Sequence, residues 1–247
     1  GWLAACNSML AEPREHEFYV LLNNDVRLSR NFFAGLLLAQ QETGAGIVGA
    51  CYDVGWNPQK PVLEKMPSAD LYSPRQHHKP IGQVDGTAVL ITREVLDKCG
   101  LLDARHFGRY GWNAVSDLCI RWKKLGGKVA VTEAAYINHL NMKTAEAVHG
   151  DKYIPEALTE AMAGMEAKYG SEYRAIQMAV SLAEITILDL AYHIWPVGAL
   201  WRANIEALRQ RLHLFNGKKI ISIATGDGAA DPVEVIKMLD EHGCEFR

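Results

Sequence analysis

The run Phe18-Tyr19-Val20-Leu21-Leu22-Asn23-Asn24-Asp25 constrains the fold more than any other stretch, because an apolar segment stops abruptly on a polar cluster ending in a carboxylate. A short apolar run bounded in this way reads as a buried strand. Open α/β sheets bind their ligands at the carboxyl ends of such strands. Asn and Asp are also ordinary turn residues, so a plain turn is the competing reading. The next helix has a start of its own, however: Ser29 reads as its N-cap, Arg30 to Glu42 carries Phe32, Phe33, Leu36 and Leu37, and Gly44 stops it. Asp25 is thereby left for another role. A divalent cation holding a diphosphate suits it, since hard cations take oxygen ligands.

Strand and helix signals alternate through the first 150 residues, which predicts an α/β layer rather than a bundle. The strand candidates are Phe18 to Leu22, Gly46 to Cys51, Thr87 to Ile91 and Lys128 to Val131. Helices are expected from Arg93 to Cys99, between Thr92 and Gly100, and from Asp117 to Leu125 before Gly126-Gly127. Between strands, Asn57 to Pro80 carries Pro58, Pro61, Pro67, Pro74 and Pro80, which excludes a regular helix or central strand and reads as a functional lid or binding surface, or else a disordered loop. From Asp151 to Leu214 the pattern is helical, broken at Gly170 and at Trp195-Pro196. A strand at Ile220 to Ala224 and a helix at Val233 to Glu241, begun by Asp231-Pro232, then form a terminal β-α unit. The expected organisation is 1–150 as the main part, 151–215 as a helical extension and 216–247 as the β-α unit, read as the start of a second, truncated domain. The intervening Thr225-Gly226-Asp227-Gly228 reads as a plain turn.

Composition narrows the function classes. A net charge of -3 over 247 residues gives no basic footprint, so nucleic acid is not an expected partner. The five cysteines, Cys6, Cys51, Cys99, Cys119 and Cys244, are scattered and never spaced C-x-x-C, which indicates neither a zinc site nor a disulfide framework and fits a reducing cytoplasm. No apolar stretch is long enough to read as a spanning helix or a signal peptide.

Three runs in order resemble glycosyltransferase family 2, the inverting, rhamnosyltransferase-like enzymes with the GT-A fold. They are Gly1-Trp2-Leu3-Ala4-Ala5-Cys6-Asn7 followed by Leu21-Leu22-Asn23-Asn24-Asp25-Val26; Val84-Asp85-Gly86-Thr87-Ala88-Val89-Leu90-Ile91 with Gly100-Leu101-Leu102-Asp103; and Tyr110-Gly111-Trp112 through Asp117-Leu118-Cys119-Ile120-Arg121 to His139. The resemblance covers roughly Gly1 to Lys143. It implies a GT-A-like mixed sheet flanked by helices. It also implies transfer of a hexosyl or deoxyhexosyl group, with inversion, from a UDP-, GDP- or dTDP-sugar to a glycan hydroxyl in polysaccharide biosynthesis. By the same resemblance Asp25 and His139 would bind Mn2+ or Mg2+, while Asn7, Asn23, Asn24 and Asp25 would contact the nucleotide sugar. Asp85, Gly86, Tyr110 and Trp112 would line the acceptor or sugar site.

The chain departs from that pattern where the family carries an acidic pair, one of which deprotonates the acceptor. The equivalents here are Ala114 and Val115, which have no proton-accepting atom. Asp117 is the nearest carboxylate and the leading candidate base, with Asp85, Asp103 and Glu133 behind it. A structural role suits Asp117 too, because it lies in the first helical turn and is spaced i,i+4 from Arg121. The family's N-terminal half, which holds base and ribose, has no counterpart before Gly1. A fragment, a second polypeptide or the terminal β-α unit would each account for that. The rival functional class is a non-catalytic glycan-binding or scaffolding module.

Overall fold

A computed structural model describes residues 1–12, 16–54, 59–61, 63, 65–140, 150–171 and 173–180. Among these, strand β1 (Phe18–Leu22), β2 (Val26–Leu28), β3 (Ile47–Tyr52), β4 (His78–Pro80), β5 (Ala88–Thr92) and β6 (Val129–His139) form one mixed sheet. The helices are α1 (Trp2–Leu10), α2 (Phe32–Thr43), α3 (Arg93–Cys99), α4 (Ala104–Phe107), α5 (Ala114–Lys124), α6 (Tyr153–Tyr169) and α7 (Tyr173–Met178). The strand at Ile220 to Ala224, the helix at Val233 to Glu241 and the helical pattern beyond residue 180 lie outside the described residues.

The strand order β1-β5-β3-β6-β2 puts β1 and β2 at opposite edges, with β4 also pairing β6. Only Asn23, Asn24 and Asp25 connect those edges. Three linking residues reach at most about 14 Å at roughly 3.5 Å per step, whereas four strand spacings across a flat sheet need roughly 19 Å. The sheet must therefore curl until it is nearly closed, and the polar cluster spans the gap. Strand β5 is antiparallel to both β1 and β3, and β3 is parallel to β6. The carboxyl ends of β1, β3 and β6 thus share one rim.

Side-chain alternation explains the two faces. In β5, Val89 and Ile91 join the core cluster that includes Leu3, Leu96, Leu118 and Ile120, while Ala88 and Leu90 join Phe32, Leu36 and Ala39 of α2. Helix α2 approaches the sheet at Gly35, where a Cβ would lie 2.1 Å from the Ala134 carbonyl oxygen. That carbonyl sits on a β6 irregularity, where the pairing with β3 jumps from Ala50 opposite Thr132 to Cys51 opposite Tyr136.

Several boundaries differ from those the sequence suggests. Strand β6 runs eight residues past the expected stop at Val131, because Glu133 inside it is paired with Arg75 and hydrogen-bonded to His77, whose Nδ1 lies 2.8 Å from Oε1. Its far end recruits β2, and Pro80 ends a short edge strand within the proline-rich loop. Ser29 is not the cap of α2. Its hydroxyl accepts from the Tyr136 N–H at 3.1 Å, and Asn31, at φ 58°, takes the cap position. Helix α5 starts at Ala114, three residues early, from Asn113 at φ 65°.

Candidate functional site

The shared rim opens into a cavity of about 750 Å³. Its sheet side is made by Leu22 to Asp25 after β1, Tyr52 and Val54 at the end of β3, Asp85 to Thr87 before β5, and His139 at the end of β6. The opposite wall comes from Trp2, the loop Arg109 to Asn113, Val115 and Ser116 of α5, and Tyr153, Leu158, Ala161 and Met162 of α6.

Asp25 and His139, 114 positions apart in sequence, meet here with Oδ1 and Nε2 separated by 3.3 Å. The backbone imposes this meeting. Val26 is paired with His139, and the Leu140 N–H donates to the Asp25 carbonyl at 2.8 Å. A second carboxylate fixes the strand end from behind: Asp53 Oδ1 accepts from the His139 N–H at 2.9 Å, and Oδ2 accepts from Asn138 Nδ2 at 2.8 Å. Asn138 Nδ2 also donates to the Pro67 carbonyl at 3.0 Å, tying the proline-rich loop to the same rim. Among the described residues no group of three or more His, Cys, Asp or Glu gathers for a metal ion. One carboxylate with one imidazole fits an ion that takes the rest of its shell from a substrate phosphate and water, as Mg2+ and Mn2+ commonly do.

Asn23, Asn24, Asp85, Gly86, Tyr110 and Trp112 line the same cavity. The Asn23 N–H donates to the Thr87 carbonyl at 2.9 Å, which joins the two sides of the rim. Gly111, at φ 80°, lets the loop pass Trp2, since a Cβ there would lie 2.9 Å from the indole. Tyr153 binds the loop from α6: Trp112 Nε1 donates to its hydroxyl at 3.3 Å, and its ring meets those of Tyr110 and Trp112 edge-on at 5.5 and 6.1 Å. Arg109 Nη2 pairs with Glu156 at 2.9 Å, and the Tyr110 hydroxyl donates to the same carboxylate, which pushes the phenol's pKa up. Leu158 and Met162 stay close to half exposed in this wall.

Two of the expected site residues lie elsewhere. Asn7 is not among the cavity lining; it clamps Leu102, donating to its carbonyl at 2.8 Å and accepting its N–H at 3.0 Å. Its amide is matched to a backbone pair, which corrects the nucleotide-sugar role. Asp117 is fully buried. Its Oδ1 receives the Tyr169 hydroxyl at 2.7 Å and Lys168 Nζ at 2.5 Å, while Arg121 Nε reaches Oδ2 at 2.8 Å. A carboxylate enclosed by three donors away from the cavity cannot serve as the base. The alternatives Asp103 and Glu133 are likewise absent from the lining. Asp103 caps α4; burial works against its charge, but hydrogen bonds from Lys168 and His106 win and hold it well below the usual carboxylate range. Glu133 is enclosed with Arg75 and His77.

Among the described residues no thiol lines the cavity, and burial pushes Cys6 up to about 11, Cys51 up to about 12 and Cys119 up to about 11, away from thiolate chemistry at neutral pH. Sequence reading missed Asp53, although it follows β3 as Asp25 follows β1, and that strand-end signal would have found it. It also missed Gln59, which is buried and bridges the Ala50 carbonyl to the Asp85 N–H. Tyr153, Leu158 and Met162 carried no local mark, because only tertiary packing brings α6 over the rim.

No family model matches the chain. It is 39% identical over 141 residues to the uncharacterized protein Rv1525 of Mycobacterium tuberculosis and, to the same extent, to the uncharacterized protein Mb1552 of Mycobacterium bovis. The matched stretch is 57% of this chain and 53% of each relative, so the chain spans about half the length of the curated relatives it matches. Among the described residues, no helix is long and apolar enough to cross a membrane.

Proposed function

We propose that this chain is the catalytic part of a metal-dependent, inverting glycosyltransferase with a GT-A-like core, moving a sugar from a nucleotide donor to a glycan hydroxyl. The single observation that carries this reading is the meeting of Asp25 and His139 at 3.3 Å inside a cavity at the carboxyl rim of the sheet. Mn2+ or Mg2+ held by these two side chains would neutralise charge growing on the leaving diphosphate. Asn23 and Asn24 supply neutral amide donors and acceptors beside that position, suited to phosphate oxygens or ribose hydroxyls. The Tyr110, Trp112 and Tyr153 rings give flat apolar faces for the sugar, and Leu158 and Met162 of α6 add apolar surface to the same wall.

Calorimetry with UDP, GDP and dTDP in the presence and absence of Mn2+, alongside turnover of the corresponding sugar nucleotides, tests this reading. Metal-dependent nucleotide binding that disappears in Asp25→Ala is expected. Metal-independent binding, or binding untouched by that substitution, refutes it. One observation favours the glycan-binding module instead, namely that Ala114 and Val115 are apolar and buried where the family carries acids. Turnover abolished by Asp25→Ala would eliminate the module.

A further inference from the structure

We infer that Asp85 is the general base of this site, a carboxylate displaced from the first turn of α5 to the turn before β5. The inference rests on the transferase reading above.

Among the described residues two carboxylates line the cavity, Asp25 and Asp85. Asp25 is committed to His139. Asp85 is exposed at the cavity edge, and its setting is rigid. Its Oδ1 accepts the Thr87 N–H at 2.6 Å and the Thr87 hydroxyl as well, so both of these bonds leave Oδ2 out. Its backbone N–H donates to Gln59 Oε1, and Gln59 is itself anchored through Nε2 on the Ala50 carbonyl at 3.1 Å within β3. Backbone and side-chain rotamer are thus set before any ligand arrives, which is what a base needs in order to meet a hydroxyl without reorganisation.

The position matters as much as the rigidity. A Cβ on Gly86 would lie 3.0 Å from Val115 Cγ2, so the Asp85-Gly86 turn packs directly on the residue that stands where the resemblance calls for an acid. Val115 lines the cavity with little exposure and offers no acceptor atom. Asp85 and Val115 line the same cavity, so the Asp85 carboxylate opens onto the cavity that a carboxylate at position 115 would serve. In the transfer step the acceptor hydroxyl gives its proton to Asp85 Oδ2 while its oxygen bonds to the anomeric carbon. The bond from that carbon to the diphosphate oxygen breaks, and its electron pair leaves with the diphosphate. Asp85 then returns the proton to water.

The test uses the full chain with Mn2+ and UDP-glucose, GDP-mannose and dTDP-rhamnose in turn as donors, first with water and then with sodium azide as acceptor. Azide carries no proton, so it bypasses a missing base but cannot repair a structural defect. Asp85→Ala is expected to lower kcat for donor hydrolysis about 100-fold with KM for the donor within about threefold, and azide to restore about tenfold of the loss as an inverted glycosyl azide. Asp85→Asn, which preserves shape, should show the same loss. Wild-type kcat in Asp85→Asn overturns the inference while leaving the transferase reading intact. Loss of donor binding together with kcat, without azide rescue, overturns it in favour of a structural turn. Absence of nucleotide binding and turnover in the unaltered chain overturns the transferase reading itself, and this inference with it.

Discussion

The molecule holds two sets of acidic side chains with opposite fates. At the rim, Asp25 and Asp85 line an open cavity, the first beside His139 and the second beside Thr87. About the C-terminal end of α6, Asp103 and Asp117 are enclosed by Lys168, Arg121, Tyr169 and His106. Lys168 bridges the two, at 2.6 Å from Asp103 and 2.5 Å from Asp117. This knot welds α6 onto α4 and α5, and α6 carries Tyr153, Leu158 and Met162 to the cavity. The same residue type is therefore chemistry in one place and fastening in the other. Cationic partners and burial make the difference.

Removing a fastening acid should cost stability, and removing a rim acid should cost function. The largest expected effect is that of Asp117→Ala, which leaves Lys168 and Arg121 without their shared anion and should destabilise the fold by about 3–5 kcal/mol. Urea denaturation followed by circular dichroism measures it. A loss under 1 kcal/mol, with turnover impaired instead, would break the comparison by returning Asp117 to the reaction.

Asp25→Ala should do the reverse. Unfolding free energy is expected to stay within about 0.5 kcal/mol, while metal-dependent turnover falls by about 100-fold or more, in the range seen when one electrostatic contact to developing charge is lost. Chelation of the metal by EDTA should reproduce the loss in the unaltered chain and add nothing to the variant.

Asp103 sharpens the comparison through pH. Its folded pKa is depressed, because hydrogen bonds from Lys168 and His106 outweigh burial, so its contribution is complete above the unfolded value of about 4 and is lost as pH falls toward the folded value. Asp103→Asn should lower stability at pH 7 by about 1.5 kcal/mol and flatten the acid limb of the stability curve below about pH 4. Thermal melts from pH 2 to 7 would show it, and parallel curves for both proteins would contradict it.

The smallest effect belongs to Asn7→Ala. With two backbone groups of Leu102 losing their partner, stability should drop by about 1 kcal/mol while nucleotide affinity stays unchanged. A weakened nucleotide with no change in melting would return Asn7 to the ligand site.

How much of this was legible beforehand depends on range. The helix Arg93–Cys99 falls between Thr92 and Gly100 as its local signals require, and Phe18–Leu22 ends on Asn23 as its hydrophobicity requires. The cavity membership of Asn23, Asn24, Asp25, Asp85, Gly86, Tyr110, Trp112 and His139 was readable because each lies at a strand end or in a loop at the rim. Their joint placement was implied by resemblance to a known pattern, with no single local signal sufficient.

Local sequence determined element type and polarity at strand ends, because both follow from side-chain periodicity and backbone preference within a few residues. Tertiary structure alone decided which charges would be active. The strand was expected to stop at Val131, yet β6 continues through Glu133, which Arg75 and His77 meet from the proline-rich loop. Asp117 looked like the surviving base, yet Lys168 and Tyr169, more than fifty residues later, enclose it. An ionised carboxylate takes its character from the few ångströms around it, and those neighbours come from distant parts of the chain that no local window contains.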